Sequence, residues 1–116
     1  MNEQYEWLNQ LERLVDAYSD AKSKRTYLEH FRQSKLAMLA AQAETEDPDK
    51  YKTAASRDEY ARRHPEYIQV LEGLRDAVAV EEKCRWNLKQ REWKFEAWRS
   101  ELSWQKSQQP RNGIVT

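Results

Sequence analysis

The chain has 116 residues, 39% hydrophobic and 34% charged, with a formal net charge of zero and a mean hydropathy of -1.13, which is one domain's length with too little apolar material for a round core. Two glycines and three prolines are too few turn residues for a many-stranded sheet, so an all-α protein is expected. No apolar run approaches the ~18 residues of a membrane span and the acidic N-terminal stretch lacks signal-peptide features, so a soluble, cytoplasmic protein is expected.

The first predicted helix, α1, runs from about Asn2 to Glu44. Along it Trp7, Leu11, Leu14, Tyr18, Ala21, Leu28, Leu36 and Leu39 recur mostly at three- and four-residue steps, drawing one apolar stripe. Asp47-Pro48-Asp49 then has the form of an N-cap, a first-turn proline and an acidic first turn, which predicts α2 from about Pro48 to Arg63. Its apolar face, Ala54, Ala55, Tyr60 and Ala61, is modest. His64-Pro65-Glu66 repeats the start signal and opens α3, from about Pro65 to Gln105, striped by Leu71, Leu74, Val78, Cys84, Leu88, Phe95, Trp98 and Leu102. Residues 1–105 thus form one helical domain, and 106–116 are expected to be a disordered tail.

At ~1.5 Å per residue α1 and α3 are each roughly 60 Å long, and their matched length predicts a long antiparallel helical hairpin, coiled-coil-like, with α2 as the short connecting helix. That alignment sets Leu39 near Leu71, Trp7 near Leu102, Arg25 opposite Glu81 and Cys84, and Tyr18 near Arg91. The middle of the seam is therefore a polar layer of Arg25, Glu81, Tyr18 and Arg91, and Arg25 and Glu81 are expected to pair with each other or with a second chain, because an unpaired buried charge is strongly destabilising. Residues 1–20 are mostly acidic and 83–99 mostly basic, which predicts that the two segments complement each other within the hairpin. A basic nucleic-acid patch is the competing reading, although a pI near 6.7 is low for a dedicated DNA-binding domain.

Tryptophan is the most informative residue. Trp86, Trp93 and Trp104, with Ala79 and Ala97, fall on one line of α3, about 180° from Leu88, Phe95 and Leu102 at ~100° per residue. A two-helix hairpin buries only one of two opposed apolar faces, and an exposed row of indoles needs a cover. Three covers fit. A second copy would make a homo-oligomeric helical bundle with Trp86, Trp93, Ala97 and Trp104 at the interface; α2 folded back over the same face is a monomeric variant of this packing. A different protein would use Trp and Arg as anchors. Single-stranded nucleic acid would stack on the indoles while Lys83, Lys89 and Lys94 hold phosphates.

Nothing in the sequence points to catalysis or to a cofactor. His30 and His64 lie on different elements, no Cys or carboxylate stands at a zinc-ligand spacing, and no phosphate-cradling glycine loop is present. Cys84, the lone cysteine, reads as a small seam residue.

The succession Arg25-Thr-Tyr-Leu-Glu29, Ala55-Ser-Arg-Asp-Glu-Tyr-Ala61, His64-Pro-Glu-Tyr67, Glu82-Lys-Cys-Arg-Trp86 and Glu96-Ala-Trp-Arg-Ser100 resembles small helical proteins encoded by bacteriophages and prophages. Some of that group lie among replication and recombination genes. The resemblance implies a bacterial host cell, a partner protein of phage or host origin, and a non-enzymatic accessory or adaptor role in DNA replication or recombination. A direct single-stranded nucleic-acid binder and an inhibitor of a host defence or transcription protein are the alternatives.

Overall fold

The computed structural model of the chain describes residues 3–109, apart from the side chain of Gln4. Three helices account for nearly all of it: α1 (Glu3–Glu46), α2 (Ala54–Arg63) and α3 (Pro65–Gln108). The long pair run antiparallel and pack along their length, so the fold is an all-α helical hairpin, with α2 filling the turn. Its transverse Cα extents are 26 and 16 Å, barely more than two helices side by side.

The seam follows a seven-residue repeat. On α1 the inward positions are Trp7, Leu11, Leu14, Tyr18, Ala21, Arg25, Leu28, Arg32, Lys35 and Leu39, all buried or half-buried. On α3 they are Tyr67, Val70, Leu74, Ala77, Glu81, Cys84, Leu88, Arg91, Phe95 and Leu102, again buried or half-buried. Leu71 and Val78, expected in the seam, are exposed, as is Trp98. Leu71 and Val78 each follow an apolar neighbour, Val70 or Ala77, and the strict repeat selects the neighbour. Apolar burial is densest at the turn, where Leu39, Ala61 and Tyr67 form a small core flanked by Leu36.

That core also sets the register. Leu39 packs with Tyr67 rather than meeting Leu71, and Trp7 stacks on Phe95 at 5.9 Å between ring centroids rather than meeting Leu102. The partner on α3 therefore lies about one helical turn earlier than expected at the turn and about two turns earlier at the open end, while Arg25 meets Glu81 as expected. Tyr67 is large and Ala61 small, so the two interlock over Leu39 and draw the start of α3 toward it.

The connection differs more from expectation. Asp47-Pro48-Asp49 does not open α2, which begins at Ala54. The Asp47 carboxylate accepts from the Lys50 N–H at 3.2 Å and its carbonyl from the Tyr51 N–H at 3.1 Å, closing one turn that goes no further. The Arg57 guanidinium then donates to the carbonyls of Tyr51 and Lys52, at 3.1 and 3.2 Å, and holds that segment out of helix. Thr53 supplies the N-cap instead: its hydroxyl accepts from the Ser56 N–H at 3.0 Å, and the Ser56 hydroxyl oxygen accepts from the Thr53 N–H at 3.2 Å. At the next boundary His64 Nδ1 accepts from the Glu66 N–H at 3.1 Å, and Pro65 occupies the first turn of α3. Residues 106–108, assigned to the tail from sequence, continue α3. The expected disorder of 110–116 lies outside the described residues, as does the expected start of α1 at Asn2.

Candidate interface on the outer face of α3

Trp86 and Trp93 stand one seven-residue repeat apart, at the positions of α3 farthest from the seam, and this alone places them outside a two-helix hairpin. They retain 44% and 57% of their exposure, and Trp104, on the adjoining column, retains 63%. The rings of Trp86 and Trp93 touch, with centroids 6.1 Å apart and planes tilted by 56°. Ala79 and Ala97 are exposed on the same side. α2 does not fold over this face: it packs at the opposite end of the hairpin, beside Leu39 and Tyr67.

Two cations lean on Trp86. The Arg85 guanidinium carbon is 5.1 Å from the ring centroid and the Lys89 ammonium 5.6 Å, within cation–π range. Arg85 also pairs with Glu82 one turn back, its Nε donating at 3.3 Å, and that hydrogen bond is the main reason the Glu82 carboxyl titrates below the ordinary range. Lys89 makes no ion pair among the described residues. Lys83 and Lys94 are exposed on the same length of helix without resting on an indole. Arg85 joins Lys89 at Trp86 although the sequence expectation names only lysines; a cation immediately before a surface tryptophan is the signal that marks it.

The polar layer divides into separate contacts. The Arg25 guanidinium grips Glu81 with two hydrogen bonds, Nε to Oε2 at 2.5 Å and Nη2 to Oε1 at 3.1 Å, and reaches Glu29 with Nη1 at 2.9 Å. Hydrogen bonding to Glu81 raises the Arg25 pKa, and the same bond lowers that of Glu81. Arg91 does not join Tyr18: its guanidinium carbon lies 5.1 Å from the Trp7 ring. Arg32, an inward residue absent from the expected layer, has its Nε buried without a hydrogen-bond partner.

The expected complementation of an acidic α1 by a basic α3 takes another form. Among the described residues, the direct ion pairs between these helices are Arg25 with Glu81 and Lys35 with Glu66 at 3.0 Å, each joining a cation of α1 to an anion of α3. Glu12, Asp16 and Asp20 are exposed on α1 and make no ion pair with the described residues of α3.

At the turn, Lys50, Tyr51, Ser56, Glu59, Tyr60, Arg63, His64 and Pro65 line an open depression of about 450 Å³. The Tyr60 ring meets Tyr51 and His64 edge-on, and its hydroxyl donates to Glu46 at 3.2 Å, so the depression is braced by its own contacts. Among the described residues no three His, Cys, Asp or Glu side chains gather as a metal would need, and no helix is long and apolar enough to cross a membrane. No protein-family model, curated protein or solved structure matches the chain.

Proposed function

We propose that this protein is a non-enzymatic helical adaptor that works by self-association through the outer face of α3. The observation that carries the reading is the touching, half-exposed pair Trp86 and Trp93 at the positions farthest from the hairpin's own seam. Aromatic rows at helical spacing are covered by protein more often than left in water. The resemblance to phage and prophage proteins supports a role among replication or recombination factors, where such an adaptor would hold partners together rather than transform a substrate.

The test is a comparison of wild type with Trp93→Ala by sedimentation equilibrium and thermal denaturation at matched concentration. A wild-type mass of at least twice 14.0 kDa is expected. The substitution should lower mass and apparent melting temperature together, since truncating a tryptophan buried in an interface costs ~3–5 kcal/mol.

Arg85 and Lys89 over Trp86 favour one second reading, in which the face stacks single-stranded nucleic acid. Under that reading Trp93→Ala leaves fold and mass intact but weakens oligonucleotide binding by ~1–3 kcal/mol, and wild-type affinity falls steeply with salt. Adjacent Glu82 and Glu96 place the first reading ahead, because they repel a polyanion on the same face.

A further inference from the structure

The outer face of α3 carries a second seven-residue register, and it has a symmetry the seam lacks. We infer that two copies of this chain pair α3 against α3 antiparallel, about a two-fold axis passing near Arg91 and Glu92, so that each of the three outer tryptophans of one copy lands on a small or slender residue of the other. The inference rests on the reading of this face as an assembly surface, and it specifies the partner and the register.

The argument begins with size. Placing the axis there sets Trp86 opposite Ala97 of the second copy, Trp104 opposite its Ala79, and Trp93 beside its Gln90. Each contact occurs twice, as an isologous interface requires. Alternation of large and small residues across facing positions is what lets helices interdigitate without voids. A parallel pairing would set Trp86 on Trp86 and Ala97 on Ala97, stacking bulk at some levels and leaving gaps at others.

Charge agrees with size. Glu82, Lys89 and Glu96 form a column along one flank of this face, at seven-residue intervals. In the antiparallel register Lys89 comes within about two residues of level with Glu96 of the second copy, twice by symmetry. In the parallel one its flank meets the opposite flank of the second copy, where Lys94 stands nearest in level, a like-charge contact. Within the single chain Lys89 is free of ion pairs among the described residues, and Glu96 has only Arg99, 3.8 Å away and solvent-exposed. Lys89 rests on the Trp86 ring and acts on Glu82 only at longer range, and Glu96 is held loosely, so neither is locked in an ion pair that the proposed bridge would have to break.

The area is adequate. Six half-exposed indoles offer on the order of 500–800 Å² for burial, about a third to a half of a standard ~1,600 Å² interface before any other residue is counted. The assembly would be a row of four helices with both α3 inside and both α1 outside.

The experiment uses charge reversal on the full chain. Sedimentation equilibrium of wild type gives the dimer dissociation constant, and Lys89→Glu and Glu96→Lys should each weaken it roughly tenfold, because two attractive pairs become two repulsive ones. Lys24→Glu, with the same charge change on α1, should leave it near the wild-type value. An equimolar mixture of ¹⁵N-labelled Lys89→Glu chain with unlabelled Glu96→Lys chain should restore wild-type affinity and give mainly mixed dimers in native mass spectrometry, since both cross-pairs are then attractive. A wild-type dimer that neither reversal weakens would overturn the antiparallel register while leaving self-association standing. A wild-type monomer would overturn both.

Discussion

Arg25 donates three hydrogen bonds to carboxylates at once, two to Glu81 across the seam and one to Glu29 a turn along its own helix. Arg25→Ala and Glu81→Ala should each lower the melting temperature, and the double replacement should cost clearly less than their sum, as expected for two members of one contact. The pair also makes stability depend on pH. Folding lowers the Glu81 pKa from its ordinary 4.5 through the Arg25 hydrogen bond, and Lys35 and Arg85 do the same for Glu66 and Glu82. In mildly acidic solution the folded chain then binds fewer protons than the unfolded chain, so stability rises with pH there. These contributions are whole above pH 4.5 and are lost as pH falls through the lower folded values; Glu81→Gln should flatten part of that acid limb in a melting-temperature series. Arg32 is the opposite case. Its buried, unbonded Nε occupies a seam position that an apolar side chain would fill, so Arg32→Met should raise stability by about 1 kcal/mol in urea denaturation.

At the scale of elements, α2 has only ten residues, too few to be stable in water alone. It depends on Ala61 buried beneath Leu39 and on its start signal at Thr53 and Ser56. Thr53→Ala should cost ~1 kcal/mol. Amide exchange should report the loss first in residues 54–63, with α1 and α3 protected as before. Arg57 marks what a local motif does not announce: it reaches back past the Thr53 cap to the carbonyls of Tyr51 and Lys52, a spacing that neither helix nor cap uses.

Across the whole molecule, packing is graded from one end to the other. The buried core lies at the turn, while the open end is closed by a partly exposed cluster of Trp7, Phe95 and Trp98 with Arg91 over Trp7. Leu39, 1% exposed, should therefore matter globally: Leu39→Ala is expected to cost ~2–5 kcal/mol and lower the single unfolding transition. Trp7→Ala should act locally, speeding amide exchange in the first turns of α1 and the last of α3 with little change near residue 61. Equal effects along the hairpin would show that the two ends unfold as one unit.

The sequence by itself determined that this is a helical hairpin, because period and punctuation are local. Steps of three and four from Trp7 to Leu39 specify one apolar stripe whatever lies opposite, and His64-Pro65 starts a helix through bonds made within two residues. The outward place of Trp86 and Trp93 follows from the same period. Only the tertiary structure decided between Val70 and Leu71, and between Ala77 and Val78, since both members of each pair are apolar and neighbouring helical positions differ by ~100°. It likewise decided the shift of register at the two ends and the late start of α2. Those depend on how Tyr67 and Ala61 fit over Leu39, which is far from both in the chain, and on Arg57 reaching back to carbonyls at spacings that no cap or helix motif uses.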